Sequence, residues 1–191
     1  MKSFKTIDAR ANRHSGDIDK PILKYGTDDL PALLEGVENP LILVLDGLQD
    51  PHNLGACLRS ANCAGVTLVI ITKKNSAPVN ETVRRIACGG AEDTTLVLAE
   101  NLRNALEKLK SLGVWICGTS DHKTSQSLYN ANLKGSLAIV MGAEGDGIRH
   151  LTSQTCDFLV RIPMLGTVPC VNVSVATGVC LFEALRQRGV R

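Results

Sequence analysis

Short runs of aliphatic residues alternate along this chain with stretches of helical spacing, and this alternation constrains the fold more than any other feature. The runs lie at 41–45, 67–72, 95–98, 114–118, 137–141 and 158–162. A continuous apolar run of about four to eight residues is typical of a strand buried on both faces. Helical spacing recurs at 53–64, 79–87, 100–112, 147–154 and 173–188. The pattern predicts an α/β fold with a parallel sheet and helices on both of its faces.

The first 39 residues differ from the rest of the chain. They are polar, carry charges of both signs and show little apolar periodicity, apart from one short helix predicted at 27–35. A length of 191 residues suits one domain of ordinary size. We therefore predict a tail or linker over residues 1–39 and a single folded domain over 40–191.

The charge pattern gives only local indications of a nucleic-acid partner. The net charge is +2, so clusters of basic residues matter more than the total. With 3% aromatic residues the chain cannot build a platform of stacking rings for single-stranded nucleic acid. Two basic clusters stand out, and a solvated surface is the alternative for each: Lys73, Lys74, Arg84 and Arg85 in the first, and Arg186, Arg188 and Arg191 in the second.

The seven cysteines are scattered, with no Cys-x-x-Cys pair and no Cys/His grouping at zinc spacing. This predicts reduced thiols, as in a cytoplasm, and no metal site. No signal peptide is recognisable, and no apolar run approaches the roughly 20 residues that span a membrane. We expect a cytoplasmic protein that makes no membrane contact.

Segments rich in Gly, Asn and Asp follow four of the predicted strands. They lie at 46–55, 118–121, 142–147 and 163–172. Ligands of open parallel sheets bind beyond the carboxyl ends of the strands, and glycines allow a ligand to approach the backbone closely. Segment 142–147 lacks both the dinucleotide pattern G-x-G-x-x-G and a phosphate-loop lysine, so a tight turn is its alternative interpretation.

Polar residues at helix starts have two interpretations each. Asn53 suits an N-cap or a ligand contact, and Asn172 and Ser174 at the start of the last helix do likewise. Arg59 lies among Ala, Cys and Leu, where a buried or cleft arginine should have an anionic or polar partner, and a structural ion pair is the alternative. Glu144 is either functional or a carboxylate stabilised by a helix dipole.

Three segments together resemble the sequence motifs of the SpoU branch of the SPOUT RNA methyltransferases. They are 45–61, 137–148 and 162–184, and their order and spacing agree with that family over roughly residues 41–188. The resemblance implies S-adenosylmethionine as methyl donor, a ribose 2′-hydroxyl of RNA as acceptor, a C-terminal deep trefoil knot and a homodimer. The residues of these motifs are most similar to those of bacterial enzymes that methylate a guanosine of 23S rRNA. The resemblance therefore implies that residues 40–191 are the catalytic domain.

The resemblance also implies roles for individual residues. The expected cofactor contacts are Gly118, Thr119, Gly142, Ile162, Met164 and Val171. The expected catalytic residues are Asn53, Arg59, Glu144, Asn172 and Ser174. RNA contacts are expected from Lys73, Lys74, Arg84 and Arg85. The residues Pro169, Cys170 and Val171 differ from those that the family usually has at these positions.

The role of Arg59 stays open between two mechanisms. A ribose hydroxyl is a weak nucleophile until its proton begins to leave. Arg59 either accepts that proton or holds the adjacent phosphate and stabilises the developing alkoxide; we favour the second, because a guanidinium holds its proton tightly. Asn53 and Ser174 would orient the ribose or phosphate, and Glu144 would order Arg59 or its loop.

Two other functions compete with 23S rRNA methylation. One is a tRNA 2′-O-methyltransferase of the same family, which the single-domain length favours. The other is a non-catalytic RNA-binding or assembly factor with this fold, against which the presence of Asn53, Arg59, Glu144 and Asn172 argues.

Overall fold

A computed structural model describes residues 20–122, 124–143 and 147–189. Its centre is one sheet of eight strands, all of them parallel to their neighbours, in the order β1-β4-β3-β2-β7-β5-β8-β6. The strands are β1 (Lys24–Gly26), β2 (Leu41–Asp46), β3 (Leu68–Thr72), β4 (Leu96–Ala99), β5 (Trp115–Thr119), β6 (Gln126–Ser127), β7 (Leu137–Gly142) and β8 (Phe158–Arg161). The predicted α/β fold with a parallel sheet is confirmed.

Six α-helices flank these strands within the described residues, five of them between strands and the sixth after the last strand. They are α1 (Leu30–Leu34), α2 (Pro51–Cys63), α3 (Glu81–Ala87), α4 (Leu102–Ser111), α5 (His150–Thr155) and α6 (Val173–Gln187). Short polar side chains begin several of them: the carboxylate of Asp50 accepts a hydrogen bond from the amide of His52, and Asn80 and Asn101 cap α3 and α4 in the same manner. The helices that the apolar spacing predicts are all present.

The core consists of two layers because successive strand residues point to opposite faces of the sheet. Leu43 and Leu45 pack with the buried side chains of α2, α3 and α6. Ile42 and Val44, from the same strand, pack with α4 and with Leu30 of α1 on the other face. Every residue of β2 is buried, as a continuous apolar run predicts.

The segment before residue 40 contributes more structure than the sequence pattern indicates. Strand β1 pairs with β4, and Leu30 is fully buried in the core layer of α4. A strand of three residues, with both ends exposed, is too short to show periodicity, and the two-residue strand β6 escapes detection for the same reason. The division at residue 39 stays a prediction, but residues 24–34 pack against the domain that follows.

Chain connectivity brings the last helix back to the middle of the molecule. After β8, which lies near one edge of the sheet, the chain returns and α6 packs against α2 and β7. The trefoil knot itself stays a prediction. Among the described residues, no helix has the length and apolarity to cross a membrane.

Candidate cofactor and catalytic site

The carboxyl ends of β5, β7 and β8 lie side by side on one edge of the sheet. Gly118 of β5 pairs with Val140 of β7, and Thr119 pairs with Val160 of β8. The hydroxyl of Thr119 donates to the carbonyl of Val140 at 3.0 Å, which ties two of these strands together where they end. Adjacent strands are about 4.8 Å apart. The six predicted cofactor residues therefore come from three neighbouring strand exits.

Gly142 and Gly118 are glycines because the protein's own backbone and side chains fill the space beside them. A Cβ atom on Gly142 would lie 1.9 Å from the carbonyl carbon of Gly147. A Cβ atom on Gly118 would lie 2.7 Å from the Sγ of Cys156 and 2.8 Å from the Cδ1 of Ile148. The glycine at 142 therefore permits a close approach of the protein's own backbone, and the backbone groups of Gly142 can still contact a ligand.

The segment after β8 leaves apolar side chains uncovered at the same edge. Residues 163–172 are all exposed; among them Met164 is 37% exposed and Val171 39%, while Ile162 is half-buried. Small-molecule sites combine apolar walls with a few backbone donors and acceptors. These side chains beside backbone strand ends suit the adenosine part of S-adenosylmethionine. Pro169 and Cys170, which differ from the residues usual in the family, are exposed.

Asn53, Asn172 and Ser174 form one hydrogen-bonded group, although they come from distant parts of the chain. The side-chain amide of Asn172 donates to the Oδ1 of Asn53 at 3.0 Å. The Oδ1 of Asn172 accepts from the amide and from the hydroxyl of Ser174, at 2.9 and 2.5 Å. Asn172 therefore caps α6 and also connects it to α2. Asn53 is not the cap of α2, since Asp50 takes that position.

Arg59 is exposed on α2, so the expectation of a buried or cleft arginine is wrong. It makes no hydrogen bond or ion pair to any of residues 20–122, 124–143 and 147–189. The reason is helical geometry: Cys57 and Leu58 point into the core, and a further step of about 100° turns Arg59 outward. Six residues separate it from Asn53, which is about 9 Å along the helix axis. Its exposed guanidinium can therefore bind an anion of a substrate or of another molecule.

The predicted RNA-binding cluster divides into two kinds of residue. Arg84 forms an ion pair with the buried Glu92 at 3.3 Å and donates to the carbonyl of Lys20 at 2.9 Å, so it supports the fold. Lys73 pairs with the exposed Glu100. Lys74 and Arg85 are exposed. Their role as RNA contacts stays a prediction.

Glu144, one of the expected catalytic residues, lies outside the described residues. Sequence reasoning also missed a hydrogen-bonded group near the site, in which the buried carboxylate of Asp46 binds the exposed Arg149 and the buried Thr152. A signal for it exists: Asp46 is a charged residue that ends a fully apolar strand, and a buried carboxylate requires partners.

Two thiols near this edge, those of Cys117 and Cys156, have raised pKa values. Burial, together with the neighbouring carboxylate of Asp157, raises the pKa of the Cys156 thiol to about 12. Burial likewise raises the pKa of Cys117, in the middle of β5. Because only the thiolate is reactive, both residues act as small apolar side chains. No group of three or more His, Cys, Asp or Glu residues suited to a metal ion occurs in the described part of the chain.

The chain is similar to known proteins over most of its length. The model of the SpoU rRNA Methylase family matches residues 40–182. The 23S rRNA (guanosine-2′-O-)-methyltransferase RlmB of Vibrio cholerae is 53% identical over 190 residues, which are 97% of this chain and 76% of that protein. The enzyme of the same name from Pseudomonas aeruginosa is 55% identical over 169 residues, 88% of this chain and 68% of its own length.

A solved structure shows the same fold with a cofactor. The AdoMet-bound rRNA methyltransferase of Sinorhizobium meliloti matches with a TM-score of 0.73 and 26% identity, over 78% of this chain and 57% of that chain. With its family model matched over most of its length, the chain belongs to the SpoU rRNA Methylase family.

Proposed function

We propose that this protein transfers a methyl group from S-adenosylmethionine to the ribose 2′-hydroxyl of a guanosine in 23S rRNA. One observation carries the proposal. In a chain 53% identical to the 23S rRNA enzyme of Vibrio cholerae, residues of the first and third motif segments meet in the Asn53–Asn172–Ser174 group. This group lies at the start of α6, directly after the exposed apolar segment 163–172.

The cofactor, when bound, supplies a methyl group on a sulfonium that needs no further activation. The chain's task is therefore to hold and orient. Ile162, Met164 and Val171 supply apolar walls for the adenosine, and the strand ends at Thr119 and Gly142 supply backbone donors and acceptors. Gly118 allows the side chain of Ile148 to pack closely against β5, which leaves no space beneath the cofactor site.

The acceptor side is formed by the polar group and Arg59. Asn53 and Ser174 orient the ribose or its phosphate. Asn172 holds both residues in place, because its side-chain nitrogen donates to Asn53 and its Oδ1 accepts from Ser174. Arg59, exposed on α2 and unpaired within the described part of the chain, contacts the phosphate next to the target ribose and stabilises the developing alkoxide. Glu144 completes the site in this proposal.

A second copy of the chain covers the exposed face of α6 and makes a homodimer. Val175 and Phe182 are seven residues apart, so they share one face of the helix, and they are 53% and 52% exposed. An apolar face of this kind is self-complementary across a twofold axis. Because Asn172 caps α6, the dimer contact continues into the catalytic group. Arg59, which has no partner among the residues that the structure describes, can serve a site shared by the two copies.

Lys74 and Arg85 contact the RNA backbone with Lys73, whereas Arg84 supports the fold. The reaction needs no metal. Residues 40–191 are the catalytic domain, with a trefoil knot in its C-terminal part. All seven cysteines are free thiols, which supports a cytoplasmic location.

Methyl incorporation with an arginine variant tests the proposal. Purified protein is incubated with tritiated S-adenosylmethionine and a 23S rRNA fragment, and Arg59→Ala is compared with Arg103→Ala, an exposed arginine of α4 that pairs with Glu107. Loss of one electrostatic stabiliser costs about 10²–10³ in rate. Arg59→Ala should lose transfer and keep cofactor affinity, and Arg103→Ala should keep both. Equal loss of transfer and cofactor affinity in Arg59→Ala would contradict the assigned role.

A further inference from the structure

A buried carboxylate lies next to the candidate site and is none of the expected catalytic or cofactor-binding residues. Asp46 ends β2, and its side chain is fully buried. One carboxylate oxygen accepts from the Nε of Arg149 at 2.7 Å. The other accepts from the amide of Arg149 at 3.2 Å and from the hydroxyl of Thr152 at 2.7 Å. The charge is thus neutralised and all its partners are donors.

The partners of Asp46 control the wall of the site. Arg149 immediately precedes α5 and follows Gly147 and Ile148, the residues that occupy the space beside Gly142 and Gly118. Gly147 is also held by its amide, which donates to the carbonyl of Ala143 at 3.1 Å. A shift of Arg149 would therefore move the backbone of Gly147 that packs on Gly142 and the side chain of Ile148 that packs on Gly118.

We propose that Asp46 is a positioning residue for the cofactor: it holds residues 147–149 against Gly118 and Gly142, so that the ends of β5 and β7 present their backbone groups in the binding geometry. The inference rests on the proposed function, because the ligand is S-adenosylmethionine. Asp46 touches neither reactant. It acts through Arg149 and Thr152.

The chain contains a matched control at the other end of α5. Asp157 accepts from the amide of Ile116 at 2.8 Å and pairs with the ammonium of Lys110 at 2.7 Å. Like Asp46 it is a carboxylate that joins the α5 region to a strand and to a cation, although its side chain is 20% exposed. It lies before β8, at the opposite edge of the sheet from the strand exits. Loss of its charge should affect stability without affecting the cofactor wall.

The experiment compares Asp46→Asn, Asp157→Asn and the wild-type protein by calorimetric titration with S-adenosylmethionine and by transfer kinetics. An amide nitrogen in place of one carboxylate oxygen meets donors only, so at least one charge-assisted hydrogen bond is lost. For Asp46→Asn we expect the cofactor Kd and KM to rise about tenfold, with a much smaller change in kcat at saturating cofactor. Asp157→Asn should keep the wild-type Kd even where its melting temperature falls.

A milder variant keeps the test valid if Asp46→Asn does not fold. Thr152→Val removes one hydrogen bond to Asp46 and nearly preserves the shape, and it should raise the Kd in the same direction by a smaller factor. Wild-type affinity in Thr152→Val and Asp46→Asn, or an equal loss in Asp157→Asn, would overturn the positioning role and leave the proposed function intact. Absence of cofactor binding by the wild-type protein would instead overturn the proposed function itself.

Discussion

Gly142→Ala is the substitution whose effect the structure defines most sharply. The new Cβ would lie 1.9 Å from the carbonyl carbon and 2.1 Å from the carbonyl oxygen of Gly147, and 2.1 Å from the amide nitrogen of Ile148. These are backbone atoms, so no side-chain rotation relieves the overlap. The segment around Gly147 must move away from β7, which breaks its hydrogen bond to Ala143.

The cost follows from these contacts. A lost backbone hydrogen bond costs about 1 kcal/mol, and overpacking at a tight contact costs about 1–3 kcal/mol. For a domain of this size the total of about 2–4 kcal/mol corresponds to a melting temperature lower by roughly 4–16 °C. The backbone displacement also moves the end of β7. We expect S-adenosylmethionine to bind at least about tenfold more weakly, which is a loss of about 1.4 kcal/mol.

Gly55→Ala is the control for a steric overlap of similar kind elsewhere. Its Cβ would lie 2.8 Å from the Cβ of Ile86 and from the carbonyl oxygen of Val83, where α2 crosses α3. Thermal unfolding should show destabilisation of both variants, whereas calorimetric titration should show weaker cofactor binding in Gly142→Ala only. Wild-type affinity in Gly142→Ala, or an equal loss in both variants, would refute the assignment of the cofactor to the strand exits.

Three further predictions concern other parts of the account. Asn172→Ala removes the link to Asn53 and the cap of α6. Methyl transfer, measured by tritium incorporation, should fall about a hundredfold, and the free energy of unfolding, measured by thermal unfolding, should fall by about 1 kcal/mol. Retained transfer would contradict the role of the Asn53–Asn172–Ser174 group. Phe182→Glu should give a monomer in light scattering, because the dimer would bury a charge; a persistent dimer would exclude this face. Iodoacetamide should label the exposed Cys170 and spare Cys180, because burial raises the pKa of the Cys180 thiol to about 12. Bound cofactor should slow the labelling of Cys170. An unchanged labelling rate would show that Cys170 does not lie at the cofactor site.

The fold was largely predictable because its strands are buried on both faces. A strand such as β3 is apolar along its whole length, so its limits are visible without knowledge of its neighbours. The strand order is different: β7 lies between β2 and β5, an arrangement set by contacts between residues far apart in sequence. Nothing in the local pattern encodes it, and β1, with one half-buried residue, leaves no pattern at all.

The site was predictable in part, and the limits have physical causes. Asn53 and Asn172 are 119 residues apart, and their contact was expected only through the family resemblance. The outward direction of Arg59 is a matter of helical phase, which the apolar neighbours alone did not reveal. The ion pair between Arg84 and Glu92 was not visible in the sequence, because Glu92 is a buried residue beyond α3 that no spacing rule identifies.

Mapping of the methylated nucleotide tests the central claim most directly. The purified chain is incubated with S-adenosylmethionine and either unmodified 23S rRNA or unmodified tRNA, and the products are digested and analysed by mass spectrometry. The account predicts 2′-O-methylguanosine at one position of 23S rRNA, none in tRNA, and loss of the product in Arg59→Ala. Methylation of tRNA alone, or of a base rather than a ribose, would contradict it.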